Sequence, residues 1–491
     1  MKKVLLIVIM FVLLTPITVG LFSLITEKPL DGSFVGEKEY SLKYFTWSRW
    51  FDDQFQEAMV KLCAQKTGFR NTLIRIANHL DFEVLHKLHA DKAVLGKDNY
   101  LFEEGYIIDY TGKNYMGESY INENLKQFKL AQKTLLERYN IQLLLVLEPG
   151  KAGTYPEKIP AKYRPAERTI SNYESYKKNI KALEIPCLDL QSYFTSLKGN
   201  SKYPLYPKYG VHWSTYGMWL AADTLLKFAK SETKIDLADI KWGEIKTTDE
   251  LKDVDFDLEK TINLLYELPH ETLAYPEINI DTVGKIKPRV LTIADSYFWS
   301  IYDNKVPQQA FANTDFWYYN TTIYPHIWGD DVKWVKDTNY MEQVKSNQII
   351  LFMITEMNLY RSFWGFTDSI IKNELPDYKT PDWFVVSRKL LNYDPYYNKI
   401  LYYCTLYHLP FDNVLTQLSL FISDAERFPK LEKYHWFWIL LSENRLYNTP
   451  ETMINLKTQA KNDNISLRKL VYNNALWLFE ESVKNKSLIF Y

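Results

Sequence analysis

Three short stretches restrict the possible fold of this 491-residue chain more than any other feature: "IQLLLVLEPG" (Ile141–Gly150), "RVLTIADSYF" (Arg289–Phe298) and "NQIILFMITEMN" (Asn347–Asn358). Each contains a nearly continuous apolar run. The runs lack the polar alternation of a strand with one wet face, so they suit strands covered on both sides. Amphipathic patterns lie around them: "NLKQFKLAQKTLLERYN" (Asn124–Asn140), "AERTISNYESYKKNIKALE" (166–184) and the stretch after His212, "WSTYGMWLAADTLLKFAKS", with Ser214 placed as an N-cap. "IPCLDL" adds a short strand, and "AVLGKDNYLFEEGYI" (Ala93–Ile107) reads as a hairpin around Gly-Lys-Asp-Asn. Strand and helix alternate from about residue 90 to 370. An α/β domain with a mostly parallel sheet and flanking helices follows.

The ends of the chain differ from this middle. Lys2 and Lys3 precede an uncharged run from Val4 to Thr26. It is long enough to span a hydrocarbon core and lacks an A-x-A cleavage site, so an uncleaved anchor is expected, with a cleaved signal as the alternative. The two lysines orient such an anchor with its N-terminus cytoplasmic. The rest of the chain then lies outside the inner membrane. Trp47 to His89 has helical period. Beyond about Thr380, "VLTQLSLFISDAERF", "YHWFWILLSENRL", "PETMINLKTQAKNDN" and "SLRKLVYNNALWLFEESVKN" are all helical in pattern. The expected organisation is an anchor at 1–26, a helical lead-in at 27–89, the α/β domain at 90–370 and a separate helical appendage at 380–491.

A net charge of -1 and the absence of a basic stripe give no argument for nucleic acid. The three cysteines, Cys63, Cys187 and Cys404, form no CxxC pair, so neither a metal ribbon nor a redox motif is expected. Asp253, Asp255 and Asp257 alternate, but the Gly and terminal Glu of a calcium loop are missing, and a solvated acidic loop is expected there. Aromatic residues reach 16%. Most belong to core packing, although flat rings also suit the faces of sugars.

Only eight histidines occur, and His212 stands in the distinctive "KYGVHWSTYG". A histidine base needs a nucleophile within reach. Ser296 in "LTIADSYF" sits where an apolar strand runs out, and ligands of open α/β sheets bind at the carboxyl ends of strands. Standing alone, such a serine would read as a helix cap.

The ordered set of motifs resembles the alginate O-acetylation proteins of the AlgX/AlgJ type, which have an SGNH-hydrolase-like (flavodoxin-like) domain. "GVHW" and "ADSY" match that family's histidine and serine motifs. "VLGKDNYLF" and "LLLVLEPGKAGTYPEKIP" are similar to two further segments. The resemblance covers roughly residues 90 to 360. It implies Ser296 as nucleophile and His212 as general base. The family's acid, two residues before the histidine, falls on Gly210. Glu356 and Asp189, each at a strand end, are the candidates to replace it, with Glu356 ranked first. Asp295 is expected to cap the turn, and Trp213 to pack under the histidine. Lys151 and Tyr155 are open to either a substrate contact or a solvated loop position.

The resemblance further implies a serine-dependent O-acetyltransferase acting on an extracytoplasmic polysaccharide. A membrane-bound O-acyltransferase would supply the acetyl group, and no metal or organic cofactor is needed. Two alternatives stay open: a carbohydrate esterase of the same fold, and a non-catalytic polysaccharide-binding or assembly protein suggested by Gly210. The helical tail, in place of a β-module, gives no reason to assume alginate.

Overall fold

The computed structural model describes residues 2–22, 25–32, 40–165, 168–325, 332–406, 408–423, 442, 446 and 449–485. An N-terminal helix, Lys2–Phe22, is long and apolar enough to cross a membrane and is mostly exposed. The helices Trp47–Phe51, Gln54–Lys66 and Arg70–Leu85 follow. Strands β1 (Ala93–Leu95) and β2 (Leu101–Glu103) pair as the expected hairpin. Next come β3 (Gln142–Glu148), β4 (Cys187–Asp189), β5 (Asp239–Thr248), β6 (Leu273–Asp281), β7 (Val290–Ala294), β8 (Phe316–Tyr318), β9 (Thr322–Tyr324), β10 (Lys333–Trp334) and β11 (Ile349–Thr355).

The central sheet runs β10-β9-β8-β7-β11-β3-β4. From β8 through β4 every pairing is parallel, and β9 and β10 extend one edge antiparallel. The three apolar runs form its centre, β7, β11 and β3. Their alternate side chains enter opposite cores. Leu143, Leu145, Ile293 and Phe352 pack on one face, and Leu144, Val146, Ala294 and Leu351 on the other. Burial on both faces is why these sequences lack polar alternation.

The chain order creates a crevice. β3 leads outward to β4 on one side, β7 leads outward to β8 on the other, and β11 is inserted between β7 and β3. This is the place in an open α/β sheet where ligands bind, outside the strand carboxyl ends. Ser296, Glu356 and Glu148 all stand there.

Two expectations need correction. The segment after residue 247 is not a solvated acidic loop. β5 and β6 pair antiparallel, and the chain between them contains the short helix Asp257–Ile262 and Asp255, which is fully buried. The helical region also does not start as a separate unit at 380. Phe384, Leu390, Leu391 and Ile400 share one buried cluster with Leu145, Ile293 and Phe352 of the sheet. The helices Asp382–Asn392, Asp394–Leu406 and Phe411–Ser423 thus complete the α/β core. The helices Pro450–Asn462 and Leu467–Lys484 have a small cluster of their own around Leu456 and Val471. Most of "YHWFWILLSENRL" lies outside the described residues.

This shared core gives a first prediction. Leu391→Ala, at a fully buried position, is expected to destabilise the sheet domain by about 2–5 kcal/mol. Denaturant unfolding followed through the sheet should detect it. An unchanged midpoint would mean that the helices fold independently.

Candidate active site

Ser296 lies two residues after the end of β7, just before the helix Phe298–Asp303. His212 lies in the irregular segment before the helix Thr215–Thr233, whose N-cap is Ser214. The two meet across the sheet edge, with His212 Nε2 3.0 Å from Ser296 Oγ. On the other side of the ring, Nδ1 lies 2.5 Å from Asp257 Oδ2. A carboxylate only accepts, so Nδ1 carries the proton and Nε2 presents its lone pair to the serine hydroxyl. The oxygen on the imidazole therefore belongs to Asp257, not to Glu356 or Asp189.

The residues around Gly210 explain how Asp257 gets there. A Cβ on Gly210 would lie 2.6 Å from Val254 O and 2.7 Å from Pro207 Cγ. The missing side chain lets the 253–256 turn close onto the histidine segment. Asp257 then takes the Val211 N–H on Oδ1 at 2.8 Å while Oδ2 holds the imidazole. Asp255 fixes the same turn from behind, accepting from Thr215 N, Thr215 Oγ1 and the Tyr275 hydroxyl. The glycine at the expected acid position thus makes room for the acid supplied from elsewhere in the chain.

Glu356 and Asp189 have other surroundings. Asp189 caps the helix Leu190–Leu197 through Ser192 N and accepts from the Tyr173 hydroxyl. Glu356 is buried against Gly150 and Gly153, where any side chain would collide with its carboxyl. Burial and then the nearby Asp109 push Glu356 well above the usual carboxylate range. Glu148 at the end of β3 is also fully buried. Burial and the adjacent Asp295 push it well above the usual range too. Shifts in this direction favour the uncharged form, which avoids the cost of burying several charges together.

Asp295 is a structural clamp. Its Oδ2 accepts from Thr355 N (2.9 Å), Thr355 Oγ1 (2.7 Å) and Asn358 Nδ2 (2.9 Å), and Oδ1 accepts from Tyr297 N (3.2 Å). It binds the end of β7 to the end of β11 and so fixes the turn that presents Ser296. The ring packed on the imidazole at 4.8 Å is Tyr297, whose hydroxyl donates to Val211 O. Trp213 supports Tyr297 edge-on at 5.0 Å and donates from Nε1 to Ser300 Oγ.

Lys151 is almost fully buried, neither a substrate contact nor a solvated loop position. Its ammonium donates to Leu101 O, Lys208 O and Gly210 O at 2.7–2.9 Å. Three donors meet three carbonyls, and two of these carbonyls belong to the segment that carries His212. Burial lowers the amine to about 7, against the opposing pull of Glu271 and Asp257. Tyr155 is partly buried and packs edge-on against Tyr206.

Burial would lower the imidazole of His212. The charge and hydrogen bond of Asp257, helped by Asp295 and Glu103, outweigh it and raise the ring above the ordinary histidine value. A base must be neutral to take a proton. kcat/KM for an acetyl ester is therefore expected to fall with decreasing pH through an inflection above about 6.5. In Asp257→Asn the raising charge is gone, and the inflection should move to lower pH. An unchanged inflection in that variant would separate the profile from His212.

A serine, a histidine and a carboxylate in one hydrogen-bonded chain, at the carboxyl edge of a mostly parallel sheet, have the geometry of a serine-type α/β enzyme site. Residues 93–267 match the family model described as "SGNH hydrolase-like domain, acetyltransferase AlgX". Over that span the chain is similar to this family, which agrees with the α/β fold described above. The matched span contains His212 and Asp257 and ends before Ser296.

Several solved structures are similar to the chain, among them the following three. The O-acetyltransferase domain of Pseudomonas putida AlgJ is 18% identical over 60% of this chain and 97% of its own, with a TM-score of 0.37. Pseudomonas aeruginosa AlgX is 16% identical over 59% and 68%, with a TM-score of 0.37. Bacillus cereus PatB1 is 13% identical over 54% and 97%, with a TM-score of 0.35. No curated protein sequence matches the chain.

Proposed function

We propose that the protein is a membrane-anchored O-acetyltransferase that moves an acetyl group through Ser296 to hydroxyls of an extracytoplasmic polysaccharide. The observation that carries this reading is the hydrogen-bonded chain Ser296–His212–Asp257, of which His212 and Asp257 lie in the span that matches an acetyltransferase family model.

In the first half-reaction Ser296 Oγ attacks the acetyl carbonyl while its proton passes to His212 Nε2. The backbone N–H of Ser296, just after β7, is the proposed donor to the oxyanion. Collapse of the tetrahedral intermediate breaks the bond to the donor's leaving oxygen, which takes the proton from His212. In the second half-reaction a sugar hydroxyl gives its proton to Nε2 and attacks the acetyl-serine. Collapse then returns the proton to Ser296 and releases the sugar ester. Asp257 holds the Nδ1 proton throughout and stabilises the imidazolium formed in each half. The non-catalytic alternative was motivated by a missing acid, and Asp257 removes that motive.

The apolar helix Lys2–Phe22 supports anchoring. A catalytic domain beyond the membrane lacks free acetyl-CoA, which favours a membrane-bound O-acyltransferase as the source of acetyl groups. The test uses the full chain in detergent with a chromogenic acetyl ester and oligosaccharide acceptors. Acetylated sugar should form with wild type and not with Ser296→Ala. Release of acetate alone, unaffected by every acceptor, would favour the esterase.

A further inference from the structure

A cavity of about 640 Å³ is lined in part by residues that follow β8 and β11, the strands on either side of β7, and lies within the roughly 300–1,000 Å³ range of small-ligand sites. Two of its lining residues connect it to the turn that carries Ser296. Tyr319 N–H donates to Ala294 O at 2.9 Å and Asn358 Nδ2 donates to Asp295 Oδ2 at 2.9 Å, both on the short stretch that leads from β7 into Ser296. The far wall comes from the helical region, where Asp394, Tyr397 and Asn398 lie at the start of the helix Asp394–Leu406.

The aromatic residues of this cavity are held in place. Tyr360 stacks on Tyr397 at 4.2 Å with an interplanar angle of 8°, which fastens the helical region to the end of β11. Trp364 meets Tyr319 edge-on at 5.3 Å. Trp364 is also held in an unfavourable backbone state: Ser362, Phe363 and Trp364 have φ of 49°, 50° and 49°, and Gly365 has 74°. Non-glycine residues rarely adopt left-handed geometry, and three in succession persist only where the surroundings enforce them. Here Ser362 Oγ donates to Asn124 Oδ1 at 2.7 Å, and Phe363 is buried against Phe128 and Phe352. Packing maintains a strained turn whose outcome is an indole ring on the cavity wall.

The charges on the wall select against an anion. Arg361 is committed to Asp394 at 2.7 Å. That leaves Glu103 and Glu104 against Lys92 alone. A sugar carboxylate would therefore face net negative charge, whereas a neutral ring would offer C–H faces to the aromatic rings and hydroxyls to Asn398 and the carboxylates.

We propose that this cavity is the acceptor subsite, that it takes an uncharged hexose unit of the polysaccharide, and that Trp364 with the Tyr360–Tyr397 stack and the Arg361–Asp394 pair determine its specificity. The proposal rests on the acetyl-transfer reading for the word acceptor, but its test is independent of catalysis. Full-length Ser296→Ala protein in detergent is titrated with neutral hexasaccharides of differing linkage and with oligogalacturonate of equal length, followed by calorimetry.

At least one neutral oligosaccharide should bind, and oligogalacturonate should bind more weakly. Adding Trp364→Ala should weaken the neutral ligand by about tenfold or more. Asp394→Asn, which keeps the shape of the wall, provides a second variant if Trp364→Ala fails to fold. It should narrow the margin between neutral and acidic ligands. Binding by no neutral oligosaccharide, tighter binding of oligogalacturonate, or indifference of folded Trp364→Ala would each overturn the proposal. A chain that binds neutral sugar in this way yet transfers no acetyl would instead count against the acetyl-transfer reading and leave the subsite standing.

Discussion

Ser296→Ala is expected to cut turnover of an acetyl ester by about 10⁴-fold or more, and His212→Ala by a similar factor. The double variant should be little worse than either single one. Ser296 Oγ and His212 Nε2 lie 3.0 Å apart and share one proton. Once either is gone, the other has no partner in the step. What remains then reflects substrate binding and the oxyanion donor alone. Steady-state kinetics of the four proteins with one chromogenic ester would measure this. Losses that multiply in the double variant would show that the two side chains act in separate steps.

The second large effect concerns Asp257. Asp257→Asn keeps the size of the side chain but offers an amide where the carboxylate was, so neither the Nδ1–H tautomer nor the imidazolium is held. A loss of roughly 10³–10⁴-fold in kcat is expected. Gly210→Ala should harm the same function from a distance. Its new methyl would meet Val254 O at 2.6 Å, and relief requires the 253–256 turn to move and take Asp257 with it. Misplacement of this kind costs about 10²-fold. Ser296, His212 and Asp257 all keep their identity in that variant, so a fall in kcat with the fold intact would isolate positioning. Full activity in Gly210→Ala would mean that the turn yields without moving the acid.

The parts of this site that were legible in the sequence are those set by local pattern. β3, β7 and β11 announce themselves because burial on both faces removes their polar residues. Ser296 is marked by its place at the end of such a strand, and His212 by its setting among Gly210, Trp213 and Ser214. Asp257 was not legible. It lies 45 residues from His212 and reaches it only because β5 and β6 pair and carry the intervening turn back to the sheet. The alternating Asp253, Asp255 and Asp257 drew notice, but alternation cannot show that Asp255 is buried on Thr215 and Tyr275. The one local hint was Gly210, whose lack of a side chain read as a lost acid when it is the space for a substitute.

Two other residues show the same limit. Tyr297 packs on the imidazole from the serine's own turn, a contact that chain adjacency does not reveal. After residue 380 the described residues include helices where the pattern is helical, but an apolar stripe looks the same whether it faces a neighbouring helix or the sheet. Leu391 and Ile400 face the core shared with the sheet, so the expected domain boundary falls inside one folded unit.

The central claim is that acetyl passes through Ser296. The most direct measurement is rapid quenching of the full chain during turnover of an acetyl ester without acceptor, followed by proteolysis and mass analysis of the peptide carrying Ser296. An acetyl group is expected on Ser296 in wild type, discharged on adding a sugar acceptor, and no acetylated peptide is expected in Ser296→Ala. Turnover at the wild-type rate with Ser296 never acetylated, or an acetyl group trapped on another residue and discharged by acceptor in Ser296→Ala, would contradict it.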